Sequence, residues 1–365
     1  MKTIGTIALT CWCTAAGAQQ SPDLPRASIQ DLTYVGAFEL STATFGESRI
    51  DYSEGPIGYN PANDSLFVVG HAHHQAVAEF PIPQIVNSNR LSDLNESQAR
   101  QPFTRVLNSG STGNPQNIDT VGGLAVIGNE LFINGYEYYD ADGNVTHTTL
   151  VARNFGNLDG NIGGYYKLSP RAHASKWISR IPAEWQAALG GTHIAGGSSG
   201  GPIISRHSVG PSAFIFDPAD MGPGTSTSST VEAITALDYS LDEPLHDDLD
   251  NDSRSNDLWT HISSAVYGFI IPNTSTYLAI GNSGGHTSGV GYKPTQDTGY
   301  SCPGYCSYVA ADNYNYYWAF DVNDLVDVKN RRLLASDVRP YAWGELPMPF
   351  QQDGLAEIIG ATFDS

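Results

Sequence analysis

The chain has 365 residues and a formal net charge of −20, because 38 Asp and Glu residues outnumber 18 Lys and Arg residues. The basic residues form no stripe, which argues against nucleic acid and against an anionic membrane surface as partners. Charged residues make up only 15%, Gly and Pro number 38 and 21, and long amphipathic helical patterns are nearly absent, a profile typical of an all-β protein with many turns.

The first residues have the features of a secretory signal peptide. Lys2 gives a positive start, the apolar run that follows is too short to span a bilayer, and Ala16-Gly17-Ala18 supplies the small residues of a cleavage site. We therefore predict a signal peptide over residues 1–18, one mature domain over 19–365 and a secreted or periplasmic location. No later segment is apolar enough to cross a membrane, so we expect no membrane insertion.

A cassette of two short apolar strands joined by a polar turn recurs along the chain. It is found at 56–71 (PIGYNPANDSLFVVGH), 123–138 (GLAVIGNELFINGYEY) and 266–283 (VYGFIIPNTSTYLAIGNS). A third strand follows in each unit, and a divergent unit uses PIISRH (202–207) as its second strand. The predicted third strands lie at 76–83, 145–154, 212–221 and 316–325.

This repeat predicts a β-propeller. Units begin near residues 55, 119, 200, 262 and 355, and the last, at 356–365, has the form of a first strand cut off before its second. We therefore predict five blades with a truncated last blade, and six or seven blades stay open as alternatives. Asp31 to Leu40 is predicted to add an outer strand that closes the ring, and short helices are predicted at 182–189 and 323–329. A pair of β-sandwiches would not explain the repeated cassette.

The fourth unit carries a long insertion, 283–315, between its second and third strands. A loop of this length in a compact domain is usually functional or disordered, and we expect an ordered wall or lid over the mouth of the ring. Cys302 and Cys306 lie within it, in the sequence CPGYC. A disulfide is favoured over a metal pair, because zinc normally needs a second clustered pair of ligands.

Polar side chains accumulate where the propeller model places one face of the ring. Loops after second strands and links into first strands emerge together there, on a rigid scaffold that often carries binding sites. Seven of the ten histidines fall at such positions. Histidines at strand ends also cap carbonyls or pack between blades, and this alternative stays open for each of them. The seven are His71, His73, His74, His193, His207, His261 and His286.

An acidic run, HDDLDNDSRSND at 246–257, has carboxylates at alternate positions, as calcium loops do. Asp248, Asp250 and Asp252 are therefore candidate calcium ligands. Ser253 stands where an EF-hand has Gly and Trp259 where it has Glu, so any structural calcium site is of another type. A solvated acidic loop is the alternative interpretation.

Three phrases of the sequence, YNPANDSLFVVGH, SAFIFDPADMG and YYWAFDVNDLVDVK, resemble a group of secreted bacterial propeller proteins whose activity is not established. This resemblance covers most of the mature chain and implies fold and export. The chain is also similar, at the level of fold and of His, Tyr and Arg at one mouth, to propeller polysaccharide lyases of the ulvan lyase type. No motif carries over residue by residue, so the second likeness is an analogy.

These observations favour a secreted enzyme that cleaves a uronate-containing polysaccharide by β-elimination. The reaction needs a base, an acid for the leaving oxygen and a cation beside the uronate carboxylate. The candidate bases are His73, His207 and His286, the candidate acids are Tyr136 and Tyr138, and Arg206 is the candidate cation. The candidate substrate contacts are Arg49, His71, His74, Glu137, His193, Trp259, His261 and Tyr292.

Two other functions stay open. A glycoside hydrolase would need two carboxylates on the same face, for which Glu54, Asp119, Glu137 and Asp257 are available. A propeller that only binds glycans or proteins would use the abundant Tyr and Trp side chains. We expect a monomer in each case, and a metal held by the histidine cluster is a further option.

Overall fold

The structure is a computed structural model that describes residues 21–140, 142–169, 175–198, 208–350 and 358–364. The predicted signal peptide, Arg206, His207 and the predicted strand at 202–207 lie outside these residues. Strands dominate the described chain, with two α-helices and several short 3-10 helices. The 3-10 helices span Ile29–Asp31, Leu91–Asp93, Pro218–Met221 and Ala335–Asp337.

The strands of the first half form two sheets of the ring and a short accessory pair. These strands are β1 (Glu39–Leu40), β2 (Ile57–Asn60), β3 (Ser65–Val69), β4 (Ala76–Pro81), β5 (Glu96–Ser97), β6 (Gln101–Arg105), β7 (Thr120–Ile127), β8 (Glu130–Tyr136), β9 (His147–Ala152) and β10 (Ile162–Leu168). The first blade has the order β2-β3-β4-β6 and the second begins β7-β8-β9-β10, with antiparallel neighbours throughout.

The second half adds two further blades and both α-helices. In chain order the elements are β11 (Ile178–Arg180), α1 (Ala183–Leu189), β12 (His193–Ala195), β13 (Ala213–Phe216), β14 (Thr230–Val231), β15 (Ile234–Leu237), β16 (Ser264–Ile270), β17 (Thr276–Gly284), β18 (Val290–Tyr292), β19 (Tyr305–Ser307), β20 (Asn313–Asp321), α2 (Val322–Lys329) and β21 (Ala342–Glu345). The third blade is β11-β12-β13-β15 and the fourth is β16-β17-β20-β21. β14 joins the outer edge of the second blade, parallel to β10.

The described chain is thus a four-bladed propeller, and the prediction of five blades is wrong. The error lies in two places. The third blade begins at Ile178, not near residue 200, and its second strand is β12. The described part of the predicted strand at 356–365, residues 358–364, forms no strand.

The inner strands β2, β7, β11 and β16 line the axis, and adjacent blades bury apolar side chains between them. Phe67 and Leu150 pack between the first two blades, Phe132 and Phe214 between the next two, and Trp318 belongs to the cluster shared by the last two. Each sheet therefore buries both faces against its neighbours, as a propeller requires.

The C-terminal segment 358–364 fills the gap between the fourth and first blades. The Asn282 side chain donates a 2.7 Å hydrogen bond to the carbonyl of Ile358, and the amide of Tyr59 donates to Thr362 at 3.1 Å. The Phe363 ring stacks on Phe269 with centroids 4.7 Å apart. Four blades close without a fifth because this segment occupies the space between the first and last sheets.

An N-terminal strap, residues 25–48, fastens the same two blades from outside. Arg26 pairs with Asp321 of the fourth blade at 2.7 Å. Further along, β1 pairs in parallel with β5, and the amide of Phe103 on the outer strand of the first blade donates to the carbonyl of Phe45. The predicted outer strand at 31–40 is therefore reduced to β1, within a longer strap.

Both predicted helices are confirmed. α1 begins after Pro182, which suits the first turn because it has no amide hydrogen to leave unpaired, and it ends at Gly190 in the left-handed conformation, at φ 82°. α2 begins at an Asp321 side chain that accepts the amide of Asn323. The two helices pack together on one side of the ring.

Candidate functional site

The antiparallel blades give the ring two distinct faces. Loops after the second strands emerge with the links into the inner strands, and we call this the loop face. Their described residues are 70–75, 137–140, 142–146, 196–198, 208–212 and 285–312. The two kinds of loop lie side by side: Ser53, before the first inner strand, forms a β-bridge with His71, and Thr120 at the start of the second inner strand pairs with Tyr136. The turns between first and second strands, together with α1 and α2, form the opposite side, which we call the base face.

The three histidines of the first blade form one cluster on the loop face. The His71 ring lies 5.3 Å from that of His73 and 4.9 Å from that of His74, and Tyr52 packs edge-on to it at 5.5 Å. His74 Nδ1 lies 3.0 Å from the Ser48 hydroxyl. Loss of hydration and the neighbouring His71 lower the pKa of His74, so a neutral imidazole is favoured there.

Near the axis of the loop face, residues from the first two blades meet in what we call the axial group: Glu54, Asp119, Tyr136 and Tyr138. The Tyr136 ring is largely buried, and burial together with Asp119 and Glu54 raises the pKa of its hydroxyl. The amide of Tyr138 donates to Asp119 at 2.9 Å. A β-carbon at Gly122 would contact both the Tyr136 ring and the Ser175 carbonyl. The Ser175 backbone therefore lies beside the tyrosine.

Lys176 was missed in the sequence because the third unit was placed out of register. Its side chain is buried, and the loss of hydration lowers its pKa to about 8. A lysine with such a pKa is neutral in only about a tenth of molecules at pH 7. Its backbone is fixed because the Asn134 side chain donates to its carbonyl at 2.8 Å.

The insertion of the fourth blade is an ordered flap on the loop face. β18 and β19 pair within it, and the Cys302–Cys306 disulfide is confirmed. Tyr305 of this flap stacks on His261 with centroids 4.2 Å apart, and Tyr292 packs against Tyr305 at 5.2 Å. The flap therefore covers the entrance to the inner strand of the fourth blade.

His286 lies at the base of this flap in a largely buried setting. Its Nε2 is 2.8 Å from the Ser283 hydroxyl, and its ring stacks on Tyr314 at 5.1 Å. Burial lowers its pKa, with Asp312 and Asp257 opposing the shift. These contacts fix the ring, so His286 has less freedom to act as a base than the histidines of the first blade.

Two of the predicted substrate contacts are placed elsewhere. Trp259 is fully buried and packs against Trp318 at 4.8 Å, so it stabilises the core and cannot contact a surface ligand. His193 begins β12 opposite Arg180, at the base face, because the second strand of the third blade runs from that side. Arg49 and Glu137 do lie on loop-face segments, and Arg49 pairs with Asp51 at 3.2 Å.

The three candidate calcium ligands do not form a cluster that could hold a metal ion. The Asp248 carboxylate accepts the backbone amides of Asp252 and Ser253, and Asp250 lies 3.7 Å from His261. Within the described ranges, no group of three or more His, Cys, Asp or Glu side chains is arranged to hold a metal ion. The calcium site therefore stays a prediction without support from these contacts.

Exposed tyrosines concentrate on the loop face. Of the eight tyrosines that rank among the exposed large side chains of the described residues, only Tyr34 lies elsewhere. The other seven are Tyr52, Tyr138, Tyr139, Tyr292, Tyr300, Tyr305 and Tyr308. Large aromatic side chains left in water on one face indicate a binding surface, because they offer flat apolar area with a polar tip.

Comparison with known proteins adds no family to this picture. No protein-family model matches the chain, and no curated protein matches it either. No helix within the described ranges is both long and apolar enough to cross a membrane.

Proposed function

We propose that this protein is a secreted enzyme that holds a polysaccharide on the loop face and cleaves it at the axial group. The seven exposed tyrosines of that face carry the proposal. Sugar rings stack on aromatic side chains, and tyrosines spread over the first, second and fourth blades suit an extended chain better than a single compact ligand.

β-Elimination of a uronate-containing glycan is the reaction that we favour. The candidate acids are Tyr136 and Tyr138, and the candidate bases are His73 and His207, the latter outside the described residues. Arg206, which lies outside the described residues, remains the candidate cation for the uronate carboxylate.

A glycoside hydrolase is the second candidate, and one observation favours it. The carboxylates of Glu54 and Asp119 both raise the pKa of the Tyr136 hydroxyl, so each lies near this tyrosine on the loop face. Hydrolysis needs two carboxylates flanking one glycosidic bond, and elimination does not.

Product analysis separates these reactions. The purified mature protein is incubated with a panel of uronate-containing and neutral polysaccharides, and both ultraviolet absorbance and reducing ends are followed. Elimination gives unsaturated products that absorb in the ultraviolet, whereas hydrolysis gives reducing ends alone. Retention of a polysaccharide without any products would support a binding protein and contradict both enzyme proposals.

Variants test where the glycan lies. Tyr52→Ala and Tyr138→Ala are expected to weaken polysaccharide binding several-fold, whereas Tyr34→Ala, an exposed tyrosine away from the loop face, should leave it unchanged. Tyr136→Phe and His73→Ala should lower turnover more than binding. Equal effects of Tyr34→Ala and Tyr52→Ala on binding would contradict the placement on the loop face.

A further inference from the structure

The base face holds a cavity on the ring axis that the loop-face function does not use. Its volume is about 790 Å³, within the range of small-molecule sites. Side chains from all four blades and from the C-terminal segment line it. They include Tyr59, Val126, Arg180, His193, Tyr267 and Phe363.

Arg180 is the cation of this cavity. It ends β11 directly opposite His193 on β12, so the two side chains share one face of the sheet. The guanidinium has no ion pair within the described part of the chain. Glu130, also in the lining, is engaged by Arg153 at 3.0 Å.

His193 presents a hydrogen-bond acceptor to the cavity. The Thr192 hydroxyl donates to Asp217 at 3.2 Å, so its oxygen is left to accept from His193 Nδ1, 3.0 Å away. The proton therefore sits on Nδ1 and Nε2 carries the lone pair. Nε2 has no hydrogen-bond partner among the described residues and is not fully buried, so a ligand can reach it.

The imidazole stays neutral at physiological pH. Burial and the nearby Arg180 lower the pKa of His193 to about 4, against a weaker opposing effect of Asp217. A neutral histidine accepts a hydrogen bond from a hydroxyl, and the adjacent guanidinium binds a carboxylate with two parallel bonds. Val126 and Phe363 supply apolar surface elsewhere in the lining of the same cavity.

We propose that the axial cavity binds a small hydroxylated carboxylate of the sugar-acid type. Its carboxylate pairs with Arg180, one of its hydroxyls donates to His193 Nε2, and its carbon skeleton lies against Val126 and Phe363. This site lies on the opposite face from the axial group and does not depend on the cleavage of any polysaccharide.

The test is calorimetric titration of the purified mature protein with glucuronate, glucose and cyclohexanecarboxylate. Glucuronate should bind more tightly than glucose, which lacks the carboxylate, and than cyclohexanecarboxylate, which lacks the hydroxyls. Binding should weaken as salt is raised, because an ion pair at an open mouth is screened. Absence of glucuronate binding at millimolar concentration, or equal binding of glucose, would overturn the proposal.

Variants assign the two contacts. Arg180→Gln should lower glucuronate affinity at least about tenfold, the equivalent of about 1.4 kcal/mol, and Arg180→Lys should retain part of it. His193→Phe should reduce the preference for glucuronate over cyclohexanecarboxylate. Arg90→Gln, at an exposed arginine away from the cavity, is the matched control. If Arg180→Gln folds, as judged by circular dichroism, and binds like Arg90→Gln, the assignment is wrong.

Discussion

The C-terminal segment 358–364 closes the ring, and replacement of Phe363 by Ala tests this role. The Phe363 ring is partly buried and stacks on Phe269 of the fourth blade, with centroids 4.7 Å apart. Its neighbour Thr362 accepts the amide of Tyr59, on the inner strand of the first blade. Truncation of the ring therefore removes apolar contact at the seam between the first and last blades.

The expected loss follows from the buried area. A phenylalanine that is mostly buried, as Phe363 is, hides at least roughly 100 Å² of apolar surface, which at about 25 cal/mol per Å² contributes about 2.5 kcal/mol. The stacked pair adds about 0.5 kcal/mol beyond the area. We expect Phe363→Ala to lower the free energy of unfolding by about 3 kcal/mol and Tm by about 4 °C.

Urea and thermal unfolding, followed by circular dichroism without ligand, measure this change. Ile359 provides the matched control, because it lies in the same segment and is 46% exposed. Ile359→Ala should shift the free energy of unfolding by less than about 0.5 kcal/mol. If Phe363→Ala and Ile359→Ala unfold together, the segment does not stabilise the ring and the account of four-blade closure is wrong.

Three further predictions concern separate parts of the ring. Glu79→Gln should cost about 1–3 kcal/mol in unfolding experiments, because its buried carboxylate accepts only from neutral donors and an amide would leave donors facing donors. The free energy of unfolding should fall as pH drops from 6.5 to about 4, because the unfolded chain protonates His193 before the folded chain does. His193→Gln should remove about 2 kcal/mol of this pH-dependent loss. Replacing Cys302 and Cys306 by Ser should destabilise the flap by about 2 kcal/mol and speed its proteolysis, with the blades unchanged.

The propeller itself was predictable because its signal is local. Three cassettes have two apolar strands joined by Asn, Asp or Gly turns, and the structure pairs these two strands as expected. The left-handed Asp64 and Gly128 sit in two of these turns, at φ 49° and 62°. Such turn chemistry fixes hairpins without reference to the rest of the chain.

The blade count was not predictable from the same signal. β11 and β12 have three residues each, and α1 separates them, so the third blade lacks the hairpin that identifies the others. The outer strands were hidden for a different reason: β6, β10, β15 and β21 join through loops or helices rather than tight turns. The ring size depends on how blades pack, which no single cassette specifies.

The residues of the candidate site were likewise predictable where they follow a local hairpin and not where they depend on the packing of blades. The histidine cluster of the first blade lies where the hairpin pattern predicted it, because β3 ends at a loop whose position follows from register alone. His193 was misplaced by the same register error that hid Lys176. Trp259 was taken for a ligand contact because sequence position alone does not distinguish a side chain at a strand end from one folded beneath it.

The two faces depend differently on ring closure. The cluster of His71, His73 and His74 lies within the first blade, and the flap with Tyr305 lies within the fourth, so each survives separation of the blades as long as its own sheet stays folded. The base-face cavity is different, because Thr362 and Phe363 supply part of its wall and the inner strands supply the rest. A ligand in that cavity contacts groups that come together only in the closed ring. Its binding free energy therefore adds to the stability of the seam. A glycan on the loop face adds to it only if it contacts both the first and the fourth blade.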